Sequence, residues 1–229
     1  MVELLNRRPK SRPGDDAHPL ARRLAREVRG EVLFSAADRG RYATDASFYQ
    51  MMPAAVLVPE TMDDALTGLA LAREMGVPVT ARGGGTSQCG QTINTGLVID
   101  TSKHLNKVVS FDREARTCVV EPGLVLDDLN RWLKPHGLWF PVDVSTASRA
   151  TLGGMAGNNS CGGRSLRYGT MRDNTIAIAA VLADGRRVHF GPSSRPGAHG
   201  NEDAPGRELL RSMLALGARE ADEIRARFP

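Results

Sequence analysis

Apolar positions recur along this chain at two spacings, and the alternation between them outlines its first half. Pro19 to about Arg29 reads as a helix. Ala54-Ala55-Val56-Leu57-Val58 is a continuous apolar run of strand length, and Met62, Ala65, Leu66, Leu69 and Ala72 follow at the three-and-four spacing of one helix face. Thr61 is placed to cap that helix with Asp63 and Asp64 in its first turn, where the helix dipole favours acids, and Gly76 closes it. A second short apolar stretch, Val77 to Ala81, then runs into glycines before Leu97-Val98-Ile99-Asp100 resumes. Strand, helix and strand in that order predict a parallel βαβ unit, with the glycines at the carboxyl end of its second strand.

Beyond Leu97 the period shortens. Val108 to Phe111 and Thr117 to Val120 read as antiparallel strands about the polar turn Asp112 to Arg116. Leu126, Leu129 and Leu133 share one face of a short helix over Asp127 to Lys134, which stops before Pro135. Thr175 to Leu182, the Asp184-Gly185 turn and Arg187 to Phe190 form a hairpin. Leu210, Met213, Leu214, Ile224 and Phe228 mark an amphipathic helix near the end of the chain.

Two stretches have neither period. Arg82-Gly83-Gly84-Gly85-Thr86-Ser87-Gln88-Cys89-Gly90-Gln91 joins two strands. Consecutive glycines expose successive backbone N–H groups, a Cβ there would stand in an anion's path, and the flanking Arg, Thr and Ser are donors; this is a phosphate cradle in outline. A tight turn between strands is the plainer alternative. The loop lacks the Gly-Lys-Ser/Thr ending of a Walker motif, and Gln88 stands where the dinucleotide fingerprint needs Gly. The second stretch, Thr151 to Thr170, holds six glycines in twenty residues among Asn, Ser and Thr. It reads as a long loop between core elements, built for close approach of backbone to a large flat or charged ligand; a surface loop without function is the alternative.

Composition narrows the function. With 229 residues, 41% of them hydrophobic, the chain can bury one sizeable core or two smaller ones. No apolar run approaches a membrane span and Met1 to Arg8 lacks a signal-peptide core, which leads to the expectation of a cytoplasmic protein with no integral membrane segment. Residues 1–30 carry eight basic and four acidic side chains, the whole of the formal charge of +4. The remainder is neutral and aromatic residues are 5%, so a nucleic-acid partner is not expected. Residues 1–18 are expected to form a flexible basic arm. Cys89, Cys118 and Cys161 stand too far apart to suggest a disulfide framework or a metal site.

Taken together, Arg82-Gly-Gly-Gly-Thr-Ser87, Val119-Val-Glu-Pro-Gly123, the run Ala150 to Gly169 and Leu182-Ala-Asp-Gly185 resemble the flavin-binding domain of the vanillyl-alcohol oxidase and p-cresol methylhydroxylase flavoproteins, in the right order over about Tyr42 to Gly191. Within them the chain is most similar to the FAD-linked dehydrogenases of D-2-hydroxy acids, of the D-lactate or D-2-hydroxyglutarate type. The resemblance implies an α+β fold of two lobes, a small parallel βαβ lobe over about 42–101 and a mostly antiparallel sheet with flanking helices over about 102–192, with FAD between them. It implies that Arg82, Gly83, Gly84, Gly85, Thr86 and Ser87 hold the pyrophosphate. Thr151, Gly153, Gly154, Gly157, Asn158 and Ser160 would line the flavin and ribityl side, with Tyr168 and Gly169 nearby. The family reaction is hydride removal from a small hydroxy acid to flavin N5, followed by reoxidation through an electron acceptor. Where some relatives attach FAD covalently, this chain has Thr86 and a cysteine-free Pro141 to Ala150, so FAD is expected to be noncovalent. His18, His104, His136, His189 and His199 match none of the family's base positions, and no catalytic residue is assigned. Residues 193–229 are expected to be a linker and helix leading to a substrate-capping domain, which makes this chain an N-terminal portion inactive alone. A stand-alone or degenerate nucleotide-binding module without turnover is the alternative.

Overall fold

The computed structural model describes Gly14, residues 17–191 and residues 204–228, so most of the expected basic arm and the stretch 192–203 lie outside the described residues. The chain forms two compact units that divide between Asn174 and Thr175.

The first unit opens with α1 (Pro19–Glu27), β1 (Glu31–Leu33) and α2 (Ala36–Gly40), then β2 (Ala55–Val58), α3 (Met62–Glu74), β3 (Val79–Arg82) and β4 (Leu97–Asp100). The strands form one sheet in the order β1-β2-β4-β3. β2 and β3 both run parallel to β4, whereas β1 pairs antiparallel to β2 at the edge. β1 and α2 carry too few residues to show a period, and neither was expected. α3 begins in a reciprocal cap: Asp64 N donates to Thr61 Oγ1 at 3.2 Å, and the Asp64 carboxylate accepts from the backbone of Thr61, Glu60 and Arg29.

β2 and β4 are buried along their whole length, which explains why both read as unbroken apolar runs. On one face Leu57, Leu97 and Ile99 meet Leu20 and Leu24 of α1 and Leu71 and Ala72 of α3. On the other, Val56, Val58 and Val98 meet Leu33 and Tyr42.

A second core follows in the same unit. β5 (Val108–Asp112) and β6 (Thr117–Val120) form an antiparallel hairpin, and α4 (Leu126–Leu133) buries Leu126, Leu129 and Leu133. Half of the glycine-rich stretch is helical, which corrects its reading as one long loop. Thr151 leads into α5 (Leu152–Gly157), and α6 (Ser165–Tyr168) follows. Leu152 and Met155, one helical turn apart, are buried with Leu124, Val142, Ala150 and Met171.

The second unit holds β7 (Ile178–Val181) and β8 (Arg187–Phe190), an antiparallel hairpin, then α7 (Ala204–Arg219) and α8 (Ala221–Arg227). The expected terminal helix is interrupted at Glu220, the N-cap of α8. Among the described residues, β5–β6 and β7–β8 are separate two-stranded sheets. Helices and irregular chain fill the sequence between β6 and β7, so no strand joins them.

Candidate functional site

β3 and β4 are parallel neighbours linked by residues 83–96 with no helix between them, so the glycine loop must turn back within itself. Gly85, at φ +65°, makes that turn. The loop and α5 are the walls of a cleft of ≈ 250 Å³. Gly83, Gly84, Gly85, Thr86 and Ser87 line it from the loop, and Thr151, Gly154, Asn158 and Ser160 from around α5. Gln88, Gln91, Thr92, Val144, Thr146, Ala150 and Met155 also line it. Gln88 and Gln91 belong to the glycine-loop run itself and Thr92 follows it directly, a signal present in the sequence, and Ala150 opens the second glycine-rich run; Val144 and Thr146 carry no motif.

The backbone N–H groups of Gly83, Gly84, Gly85, Thr86 and Ser87 have no acceptor among the described residues. Thr151 Oγ1 is buried without a hydrogen-bond partner. It sits where a Cβ on Gly83 would come within 2.0 Å and one on Gly154 within 3.3 Å. A partnerless hydroxyl is unfavourable to bury, by about 1–3 kcal/mol, unless a ligand supplies the missing bond.

The glycines divide by what a Cβ would meet, and this revises why they are needed. At Gly84 it would come 2.2 Å from Arg149 O, and at Gly153 2.6 Å from Pro122 Cβ, so Gly83, Gly84 and Gly153 permit protein to pack on protein. Space for an anion is not what they supply. At Gly154 only Thr151 Oγ1 lies within 4 Å, and at Gly157 nothing does. Gly154 is thus the glycine whose missing side chain leaves room in the cleft.

Arg82 is not in the lining. Its Nη1 donates to Tyr42 O at 3.4 Å and Thr92 O at 3.3 Å, and its guanidinium carbon lies 5.2 Å from the centre of the Tyr42 ring. Tyr42 OH donates to Asp100 Oδ2 at 2.7 Å; burial, and then the Asp100 charge, push the phenol well above its ordinary range. Arg82 is committed to the base of the loop. At Asp45, burial pushes the carboxyl up, but hydrogen bonds from Ser47 and Thr92 outweigh it and hold the group below its ordinary range.

Gly153, Gly157, Tyr168 and Gly169 also lie outside the lining. Tyr168 packs edge-on to Trp139, with ring centres 5.2 Å apart. Gly169, at φ +80°, turns the chain over the Asp173 side chain, which accepts from Thr170 N at 2.7 Å and Thr170 Oγ1 at 3.0 Å. Cys89 and Cys161 are exposed and neither lines the cleft; burial pushes the Cys118 thiol up.

A two-cored α+β chain with a neutral, amide-rich cleft between a glycine loop and a glycine-bearing helix is the architecture of a nucleotide-cofactor domain. Residues 53–191 match the FAD binding domain family, and the chain belongs to that family. FAD is the cofactor of the family. The chain is 37% identical over 206 residues to D-2-hydroxyglutarate dehydrogenase of Pseudomonas putida, covering 88% of this chain and 20% of that protein. It is 38% identical over 170 residues to glycolate oxidase subunit GlcD of Bacillus subtilis, covering 72% of this chain and 36% of that one. Among solved structures, alkyldihydroxyacetonephosphate synthase superposes with a TM-score of 0.68 at 20% identity, over 81% of this chain and 38% of that one. Physcomitrella patens BBE-like 1 superposes with a TM-score of 0.65 at 20% identity, over 78% of this chain and 39% of that one. The chain therefore spans about one fifth of the Pseudomonas relative.

The residues present fit FAD. The free N–H groups suit a pyrophosphate, the orphaned Thr151 hydroxyl awaits a polar partner, and the cleft lining includes no carboxylate to repel the anion.

Among the described residues no helix is long and apolar enough to cross a membrane.

Proposed function

We propose that this chain is the FAD-holding portion of an FAD-dependent dehydrogenase that oxidises a D-2-hydroxy acid, with D-2-hydroxyglutarate the first candidate and D-lactate the second. The observation that carries cofactor binding is the run of unpartnered N–H groups from Gly83 to Ser87 beside the unpartnered Thr151 hydroxyl. The substrate class rests on the named relatives, of which the D-2-hydroxyglutarate dehydrogenases of Pseudomonas putida and Escherichia coli are 37% and 41% identical to this chain.

When bound, FAD supplies a two-electron acceptor for hydride. Gly83 to Ser87 bind its pyrophosphate through backbone dipoles, since the lining has no cationic side chain to do so. Thr151, Asn158 and Ser160 orient the neighbouring part through hydroxyl and amide groups, and Gly154 leaves the space it enters. Arg82 and Gly153 act at one remove, Arg82 at the base of the loop and Gly153 in the packing of α5 on Pro122, and no role in the cleft falls to Gly157, Tyr168 or Gly169. The lining contains no acid or base, so no proton-transfer role falls to this cleft. An electron acceptor and a cytoplasmic setting belong to the same proposal.

That neutral lining also favours a second reading for this chain taken alone, a module that binds FAD without turnover. The visible spectrum of the purified chain reconstituted with FAD separates the two. Flavin bands that bleach anaerobically with D-2-hydroxyglutarate or D-lactate support the dehydrogenase; bands that persist support the module; no retained flavin overturns both.

A further inference from the structure

We propose that Gln91 is a further positioning residue of the cofactor cleft: a strut across its mouth that governs how fast FAD leaves. This rests on the reading that the cleft holds FAD.

Gln91 lines the cleft, and both ends of its amide are engaged. Its Nε2 donates to Asn158 Oδ1 at 2.9 Å, joining the glycine loop to the opposite wall across 67 residues of sequence. Its Oε1 accepts from Ser87 Oγ, which in turn accepts from Cys89 N at 3.3 Å. Asn158 is itself oriented, because its Nδ2 donates to Gly154 O at 3.0 Å. One chain of hydrogen bonds thus runs from the loop backbone through Ser87, Gln91 and Asn158 to the backbone of α5.

Burial tells where this chain lies. Gln91 and Asn158 are exposed, whereas Ala150, Thr151 and Met155 of the same lining are buried. The buried residues are the floor and the exposed amides the mouth. A ligand seated on the floor leaves past the strut, or waits for it to open. Lost hydrogen bonds of this kind change a release rate by about fivefold, since one net bond is worth about a factor of five.

The full 229-residue chain is loaded with FAD and diluted, and the return of free-flavin fluorescence gives the dissociation rate. Gln91→Ala is expected to release FAD about fivefold faster while the apoprotein loses no more than about 2–4 °C of unfolding midpoint, the worth of the same bond. Asn158→Ala cuts the same strut from the opposite wall and serves only in the double variant, since Asn158 also lines the cleft; Gln91→Met, which keeps the side chain's length and loses both amide bonds, carries the test if Gln91→Ala yields no folded protein. The double variant is expected to release FAD no faster than the faster single variant, the non-additivity of two groups in one bond. Release from Gln91→Ala at the wild-type rate, or additive effects in the double variant, overturns the strut and leaves the cleft assignment standing. Wild-type protein that takes up no FAD overturns the cleft assignment and the strut with it.

Discussion

Three glycine-to-alanine substitutions separate glycines that pack protein on protein from the one that leaves room for a ligand. At Gly84 the new methyl falls 2.2 Å from Arg149 O, and ordinary contact begins near 3.4 Å, so loop or carbonyl must shift by about 1.2 Å. The carbonyl is poorly placed to yield. Arg149 N and Ala150 N each donate to Thr146 O at 2.8 Å, Leu126 N to Ala150 O at 3.0 Å, and Leu152 N to Leu124 O at 2.8 Å. Forcing a methyl into such a site costs about 1–3 kcal/mol. For a chain of this size that lowers the unfolding midpoint by roughly 2–12 °C. At Gly157, the last residue of α5, the methyl meets nothing within 4 Å. Alanine there is expected to stabilise by about 0.5 kcal/mol, through helix propensity and a less flexible unfolded chain. At Gly154 the methyl meets only Thr151 Oγ1, at 3.3 Å, and projects into the cleft. Stability should change by less than about 0.5 kcal/mol while FAD affinity falls about tenfold, or about 1.4 kcal/mol. Thermal unfolding of the apoprotein by circular dichroism and FAD titration by flavin fluorescence quenching read the two effects separately. Gly84→Ala unfolding at the wild-type temperature, or Gly154→Ala as destabilised as Gly84→Ala, would refute the reasoning.

Thr151→Val removes a buried hydroxyl with no partner in the apoprotein, so the apoprotein should unfold at the same temperature or higher while FAD affinity falls about fivefold; a loss of apoprotein stability would show that the hydroxyl is already satisfied. In an alkaline absorbance titration Tyr42 should stay protonated well above the ordinary phenol range. Because its folded pKa is raised above 10.0, its contribution to stability is complete below that pH and is lost as pH rises further, and Tyr42→Phe should remove that alkaline loss. FAD should leave the acid-denatured polypeptide intact, since no cysteine or histidine lines the cleft; flavin that travels with the denatured chain through a gel would contradict this.

Much of the first core was legible because burial on both faces imposes unbroken apolar runs on β2 and β4, and because Thr61 and Asp64 announce α3 by a local cap. Local chemistry of that kind is written in adjacent residues. The glycine loop was legible as a run of open N–H groups for the same reason, since those groups are successive along the chain. The reading of Thr151 to Thr170 as a loop failed because glycine outweighed the single apolar turn Leu152–Met155, whose helix forms only against Leu124, Val142 and Ala150. Arg82 looked like a phosphate ligand by adjacency, but its direction depends on Tyr42 and Thr92, forty residues before it and ten after. Likewise nothing local reveals that Gly84 faces Arg149, or that Gln91 reaches Asn158 across 67 residues. Residue types and their order determined where successive backbone N–H groups would lie open, the feature proposed to receive FAD. Which side chains face the cleft, and which glycines serve packing, were decided by contacts between distant segments, because a side chain's direction is set by whatever the rest of the fold places beside it.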